Sequence, residues 1–252
     1  MNTQAQKKFK VLLIGDICTD VYQYGTVDRI SPEAPVPVFK LSHEERKAGM
    51  AGNVRNNLEA LGCEVIMLHG KESIKTRLID IRSKQQIVRI DNDIKSAPLN
   101  FSDIGIPTFK GLDAVVISDY DKGFVDYDII KIIMTAVHPK PVFIDTKKTD
   151  LAKFNGAFVK INSLENSRAI TLPTDLIVTM GKYGARYQGQ TYTAPTIEVS
   201  DVCGAGDTFL SALTYEYLNS KDISRAIEFA IKASAVTVQH LGVYAPTLEE
   251  IK

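Results

Sequence analysis

Short apolar runs alternating with longer helical stretches predict an α/β fold of three layers, a mostly parallel central sheet between helices. Two further observations bear on it. Polar clusters follow the apolar runs at their carboxyl ends, where an open parallel sheet gathers its ligands. Two segments, about residues 22–40 and 74–91, leave the alternation for a period of two, which predicts a small β-lid outside the central sheet.

Taken in order, residues 11–14 form a first buried strand that ends near Asp16, residues 54–61 a helix, and residues 65–68 a second strand. Residues 115–117 read as a buried strand that delivers Ser118, Asp119 and Tyr120. A helix over 126–137 precedes a strand over 141–144, which ends in Asp145, Thr146 and Lys147. Strands over 158–161 and 176–179 again end in polar residues. Residues 209–218 continue as an apolar helix, and 225–238, with Ala226, Ile227, Ala230 and Ala233 at helical spacing, reads as plain core helix. Residues 29–38 hold Pro32, Pro35 and Pro37, too donor-poor for a sheet centre, which predicts an edge or lid strand, with a surface linker as the other reading.

The 252 residues suffice for one large domain over 1–252 without stapling. Lys plus Arg and Asp plus Glu number 30 each, so no overall field recruits nucleic acid or an anionic membrane. Local basic residues must bind any phosphate. Cys18, Cys63 and Cys203 lack metal-ligand spacing and are odd in number, which points to a reducing, cytoplasmic setting. No apolar run reaches the roughly 18 residues that span a bilayer. Neither a Walker A sequence nor a dinucleotide fingerprint occurs.

The segment from Asp201 to Thr208, followed at once by the apolar helical run, reads as an anion hole with a built-in base. Gly204, Ala205 and Gly206 let backbone N–H groups open a helix N-terminus toward an anion, and Asp207 projects from the first turn. A carboxylate there suits a hydroxyl that loses its proton as it attacks a phosphoryl group. A plain helix cap has the same composition.

That segment resembles the C-terminal signature of the ribokinase-like (pfkB) carbohydrate kinases, and four other pieces recur in family order. They are Val11 to Asp16 with Asp20, Gly49-Met50-Ala51-Gly52-Asn53-Val54, Asn162-Ser163-Leu164-Glu165, and Val178-Thr179-Met180-Gly181-Lys182-Tyr183-Gly184. The resemblance implies a ribokinase-like fold with ATP and magnesium as cofactors. It makes Asp207 the base and Gly204, Ala205 and Gly206 the cradle of the transferring phosphoryl group. Asn162 and Glu165 would organise the magnesium through water, and Thr179, Gly181 and Gly184 would flank the nucleotide. Asp16, Asp20, Gly49 and Asn53 would lie on the sugar, and Asp201 is a candidate ligand for a monovalent cation such as potassium.

Within the family, residues 29–38, Ser118-Asp119-Tyr120 with Lys122-Gly123, and Gln85-Gln86 with Arg89 and Asp91 resemble the kinases of D-glycero-β-D-manno-heptose 7-phosphate, on the way to ADP-heptose. This implies a sugar-phosphate acceptor phosphorylated at its anomeric hydroxyl, with Arg29, Arg77, Arg89, Lys122 and Lys147 as candidate anchors for the phosphate it already carries. Two rivals remain open. One is a kinase of another sugar or sugar phosphate. The other is a sugar-phosphate- or nucleotide-binding protein without turnover, against which Asp207, the glycine hole and Glu165 argue together.

The chain departs from the family pattern by localised losses. After Gly70 a helix and the following strand are missing, with Lys71-Glu72-Ser73 bridging directly to the lid, and a second gap lies between Glu165 and Leu172. Met50 stands where a second glycine is usual and Ile231 where a polar residue often faces the nucleotide. The losses are expected to leave one layer partly uncovered, so that either a homodimer partner masks it or stability falls.

Overall fold

Strand β1 (Lys10–Ile30) is the spine of the structure, a computed structural model that describes residues 8–105 and 109–251. Its first residues are buried on both faces. Val11 and Leu13 enter the core under the helices α1 (Ala51–Ala60), α4 (Ala205–Ser220) and α5 (Ile223–Thr237), and Leu12 and Ile14 enter the core under α2 (Tyr127–Val137). Period-two alternation with apolar residues at every position is what a central strand of a three-layer protein requires.

Around β1 the sheet has ten strands among the described residues. Its order is β10 (Gln190–Tyr192), β9 (Ala185–Tyr187), β8 (Leu176–Thr179), β7 (Phe158–Asn162), β6 (Val142–Thr146), β5 (Ala114–Asp119), β1, β3 (Glu64–Asp80) and β4 (Gln86–Asn92), with β2 (Pro37–Met50) also paired to β1. Strands β3, β1, β5, β6, β7 and β8 are parallel, and the outer pairs are antiparallel. The expected ribokinase-like α/β layering is present. Helix α3 (Ser163–Arg168) and the short return to β8 occupy the second gap, and α6 (Leu248–Ile251) ends the described chain.

The lid differs from the expectation of a separate small sheet. Strands β1 and β3 pass from the core into the lid unbroken, paired from Lys10 opposite Glu64 to Gly25 opposite Asp80, with one irregularity between Gly15 and Ile17. Strands β2 and β4 flank them, so the lid is a four-stranded outgrowth of the main sheet. The cause lies at Lys71-Glu72-Ser73. With no crossover helix to turn the chain back, β3 can only run on, and one extra residue is absorbed as a bulge. Backbone groups there are satisfied by side chains: Lys71 N–H donates to Ser96 Oγ at 2.7 Å and Ile94 N–H to Ser73 Oγ at 3.0 Å.

One other expectation needs correction. Residues 31–36 of the proline string form the loop between β1 and β2 at the lid tip, where Pro32 and Pro35 cannot supply ladder donors. On the layer expected to be left partly uncovered, Leu99, Phe101, Ile104, Phe109 and Leu112 of the return from β4 to β5 join Ile66 and Leu68 in the α2-side core. Met50 is buried with φ 54° and ψ −133°, a conformation that glycine adopts without strain and methionine does not.

Candidate active site

The carboxyl ends of β5, β6, β7 and β8 meet the N-terminus of α4, and the cleft between them has a volume of about 600 Å³. It is lined by Tyr120, Asp145, Lys147, Lys160, Asn162, Ser163, Thr179, Gly181, Gly204, Gly206 and Asp207 among others. Gly204 starts the helix at φ 78°, and a Cβ added to it would lie 2.7 Å from Asn53 Nδ2, so this position requires glycine on two counts. Thr208 N–H donates to the Gly204 carbonyl at 2.9 Å. The N–H groups of Gly206 and Asp207 have no protein acceptor among the described residues, which is the open helix end that an anion needs.

Asp207 is buried at 6% exposure, and each of its oxygens accepts one hydrogen bond: Asn53 Nδ2 donates to Oδ2 at 2.9 Å and the Tyr120 hydroxyl to Oδ1 at 3.0 Å. Burial pushes its carboxyl up to about 6, although Asn53, Lys160 and Tyr120 pull the other way. A carboxylate poised there is mostly ionised at neutral pH yet basic enough to take a proton. Beside it, buried Lys160 reaches Asp145 Oδ2 at 2.6 Å, and its Nζ lies 2.9 Å from where a Cβ on Gly206 would sit. Gly206 thus admits a buried ammonium to the helix end.

Asn162 and Glu165 form a capping box for α3. Asn162 Oδ1 accepts from Glu165 N–H at 2.9 Å and Glu165 Oε2 from Asn162 N–H at 2.8 Å, while Glu165 Oε1 pairs with Lys147. Lys147 therefore sits on the Glu165 side of the cleft and not with the lid, where the resemblance placed it. Thr179 and Gly181 line the cleft; Gly184 does not. At φ 90°, with a side chain there colliding with the Tyr192 carbonyl, it serves the antiparallel edge of the sheet. Asp201 spends one oxygen on Cys203 N–H at 3.0 Å and the other on Gly242 N–H at 2.9 Å, which clamps the loop before α4; no group of three or more His, Cys, Asp or Glu side chains that could hold a metal exists among the described residues.

On the acceptor side, Asp16 lies where β1 exchanges β5 for β2 as its neighbour, and its Oδ2 accepts from the N–H groups of Tyr120 at 2.9 Å and Lys122 at 3.2 Å. Its Oδ1 is buried without a partner, and burial raises its pKa above the ordinary value. Asp20 pairs with Arg77 at 2.5 Å, both largely buried, and the guanidinium stacks 5.2 Å from the Tyr22 ring. Gly49 keeps clear the space that a Cβ would take from Asp20. The five candidate phosphate anchors do not converge. Arg29 is exposed at the lid tip, Arg89 pairs with Asp91 on β4, Lys122 pairs with Asp93, and only Arg77 is buried against the Asp20 side of the site.

Sequence reasoning assigned no role to Tyr120, Asp145 or Lys160. Tyr120 and Asp145 stand at the carboxyl ends of strands, which was the available signal, whereas Lys160 lies in the middle of β7. Asn53, expected beside the sugar carboxylates, instead holds Asp207.

Residues 135–251 match the model of the pfkB family of carbohydrate kinases. The bifunctional protein HldE of Helicobacter pylori strain J99 is 34% identical over 303 residues, covering 96% of this chain. The chain belongs to the pfkB family of carbohydrate kinases. A second HldE, from Nitratiruptor, is 34% identical over 97% of the chain. The chain spans about 65% of the length of these relatives. Because 96% of 252 residues is about 242, some sixty of the 303 aligned positions have no counterpart here, in accord with the localised losses read from the sequence. Among solved structures, ribokinase from Arabidopsis thaliana, complexed with ribose and ATP, superposes with a TM-score of 0.71 at 15% identity over 97% of this chain and 98% of that one. Ribokinase from Thermotoga maritima gives 0.72 at 14% over 96% and 98%. At such identities the likeness is one of fold.

Proposed function

We propose that this chain transfers the terminal phosphoryl group of ATP to the anomeric hydroxyl of D-glycero-D-manno-heptose 7-phosphate, giving the 1,7-bisphosphate. The observation that carries a kinase reading is Asp207, a buried carboxylate raised to about 6 at an open helix N-terminus, with a lysine beside it. In the reaction Asp207 takes the acceptor proton as the hydroxyl oxygen attacks phosphorus. The N–H groups of Gly206 and Asp207, with Lys160, receive the charge on the phosphoryl oxygens. The polyphosphate would lie along Lys147, Asn162, Thr179 and Gly181.

Magnesium, when bound with the nucleotide, neutralises phosphate charge. The residues fit a hydrated ion. Asp145 Oδ1 is buried without a partner, and Glu165, its oxygens already engaged, is suited to accepting from the ion's water. Asp201, each of whose oxygens accepts one backbone N–H, keeps a lone pair on each that would be available to a monovalent cation such as potassium.

The heptose 7-phosphate acceptor rests on the subfamily strings and on the HldE relatives. In this reading Arg77, freed from Asp20, would meet the acceptor's phosphate. The pairing of Arg89, Lys122 and Lys147 with carboxylates favours a second reading, a kinase of another sugar or sugar phosphate. The test is ADP release, measured by a coupled assay, over heptose 7-phosphate, unphosphorylated heptose, fructose phosphates, ribose and adenosine. The first reading expects heptose 7-phosphate to exceed the neutral sugars by at least roughly tenfold in kcat/KM, from one charge-assisted contact. A ratio near one or a preference for ribose would reject it. Free cysteines, two of them buried, and use of ATP support a cytoplasmic setting.

A further inference from the structure

We propose that Tyr120 is a positioning residue for Asp207: its phenol O–H fixes the carboxylate toward the acceptor, and its backbone N–H ties the same residue to Asp16 across the site. The role in turnover rests on the kinase reading above; the structural role does not.

Tyr120 directly follows β5, and its two hydrogen bonds run to carboxylates on different elements, Asp16 of β1 through the backbone and Asp207 of α4 through the phenol. The ring is itself held. Lys147 Nζ lies 5.1 Å and Lys75 Nζ 5.9 Å from its centroid, so cations from β3 and from the end of β6 brace it. Facing a carboxylate, the phenol can only donate. Burial and the Asp207 charge raise its own pKa well above the ordinary 10, so it keeps its proton throughout the working range. With Oδ2 held by Asn53, two donors from opposite sides fix the carboxylate plane and leave one lone pair on each oxygen for the incoming proton. The other titratable groups facing Asp207 are Asp145 on β6, Lys160 on β7, Lys147 after β6 and Cys18 on β1. None of them donates to its carboxylate among the described residues.

Tyr120→Phe removes one oxygen and keeps the braced ring. A donor that favours the charged carboxylate is lost, so Asp207 should titrate higher by about one pH unit. Two measurements decide the matter on the full chain. In the first, ¹³C-carboxyl NMR of aspartate-labelled protein follows Asp207 through its titration in parent and variant, with Asp207→Asn assigning the signal. An upward move in Tyr120→Phe is expected, and an unmoved midpoint overturns the proposal. In the second, the acid limb of kcat against pH should move up by the same amount, with roughly fivefold loss near pH 6, recovery above pH 8 and KM for ATP unchanged. A uniform loss at every pH overturns the role in turnover. No turnover by the parent with any acceptor would reject the kinase reading, and the NMR titration would still decide the role of Tyr120.

Discussion

The nucleotide-side half of the site and the lid half are built on opposite terms. At the α4 end, Asp207, Lys160 and Asp145 are each no more than 6% exposed and hydrogen-bonded through groups that the fold fixes. In the lid, Arg89, Asp91, Asp28, Lys40 and Arg82 are exposed and pair with one another along strand surfaces. The first arrangement is preorganised, so its charges act in a site poor in water, where each is worth more. The second is solvated and contributes little. Arg77 with Asp20 is the exception, a largely buried pair reached by β3 because that strand runs unbroken out of the core.

The largest break in this contrast should come from Gly204→Val. A β-branched residue at φ 78°, pressed 2.7 Å from Asn53 Nδ2, must move either the helix start or the amide that holds Asp207. Strain of this kind costs about 1–3 kcal/mol, and a shift of roughly an ångström in a catalytic group lowers turnover by about a hundredfold. Melting temperature and kcat measured together check it, and a kcat within threefold of the parent would show that the helix end tolerates displacement.

Stability against pH probes the same buried end. Asp207 titrates at about 6 in the folded protein against an ordinary 3.8. The folded state therefore holds the proton to higher pH than the unfolded state. That contribution is fully present below about pH 4 and is lost as pH rises through about 6, roughly 3 kcal/mol in all. Asp207→Asn removes it. The variant should gain on the parent by up to that amount between acid and neutral pH, as denaturant unfolding would measure; a parent-minus-variant difference that is flat with pH would mean that burial does not set the carboxyl's charge.

The lid offers the smaller effects. Arg77→Gln should raise KM for a phosphorylated acceptor by roughly tenfold to a hundredfold with little change in kcat. Arg89→Ala, which removes an exposed pair, should alter neither kcat/KM nor melting temperature measurably. Equal effects from the two would erase the distinction between a buried and a solvated lid cation.

Much of this was legible in the chain itself. Residues 115–117 and 141–144 are β-branched and apolar enough to be read as buried strands, and the segment from Asp201 to Thr208 announces a helix end with a carboxylate beside it. What could not be read is who pairs with whom. Period two over residues 74–91 gives a strand but not its partner, so the continuous run of β3 along β1 emerged only from the register. Tyr120 is 87 residues from Asp207, and Lys160 is as remote from Gly206 in kind. A phenol just after one strand and an ammonium within another carry no local mark of the group they will meet. The proline string misled for a related reason, since a lack of donors excludes a sheet centre and leaves edge strand and loop equally open.

The central claim is that Asp207 removes the acceptor proton at a preassembled helix end. Single-turnover phosphoryl transfer from ATP to heptose 7-phosphate at pH 7.5, both substrates saturating, compares the parent with Asp207→Asn, which keeps size and helix start. The account predicts a fall of about two to four orders of magnitude with ATP affinity within a few-fold of the parent. A rate within tenfold of the parent would contradict it.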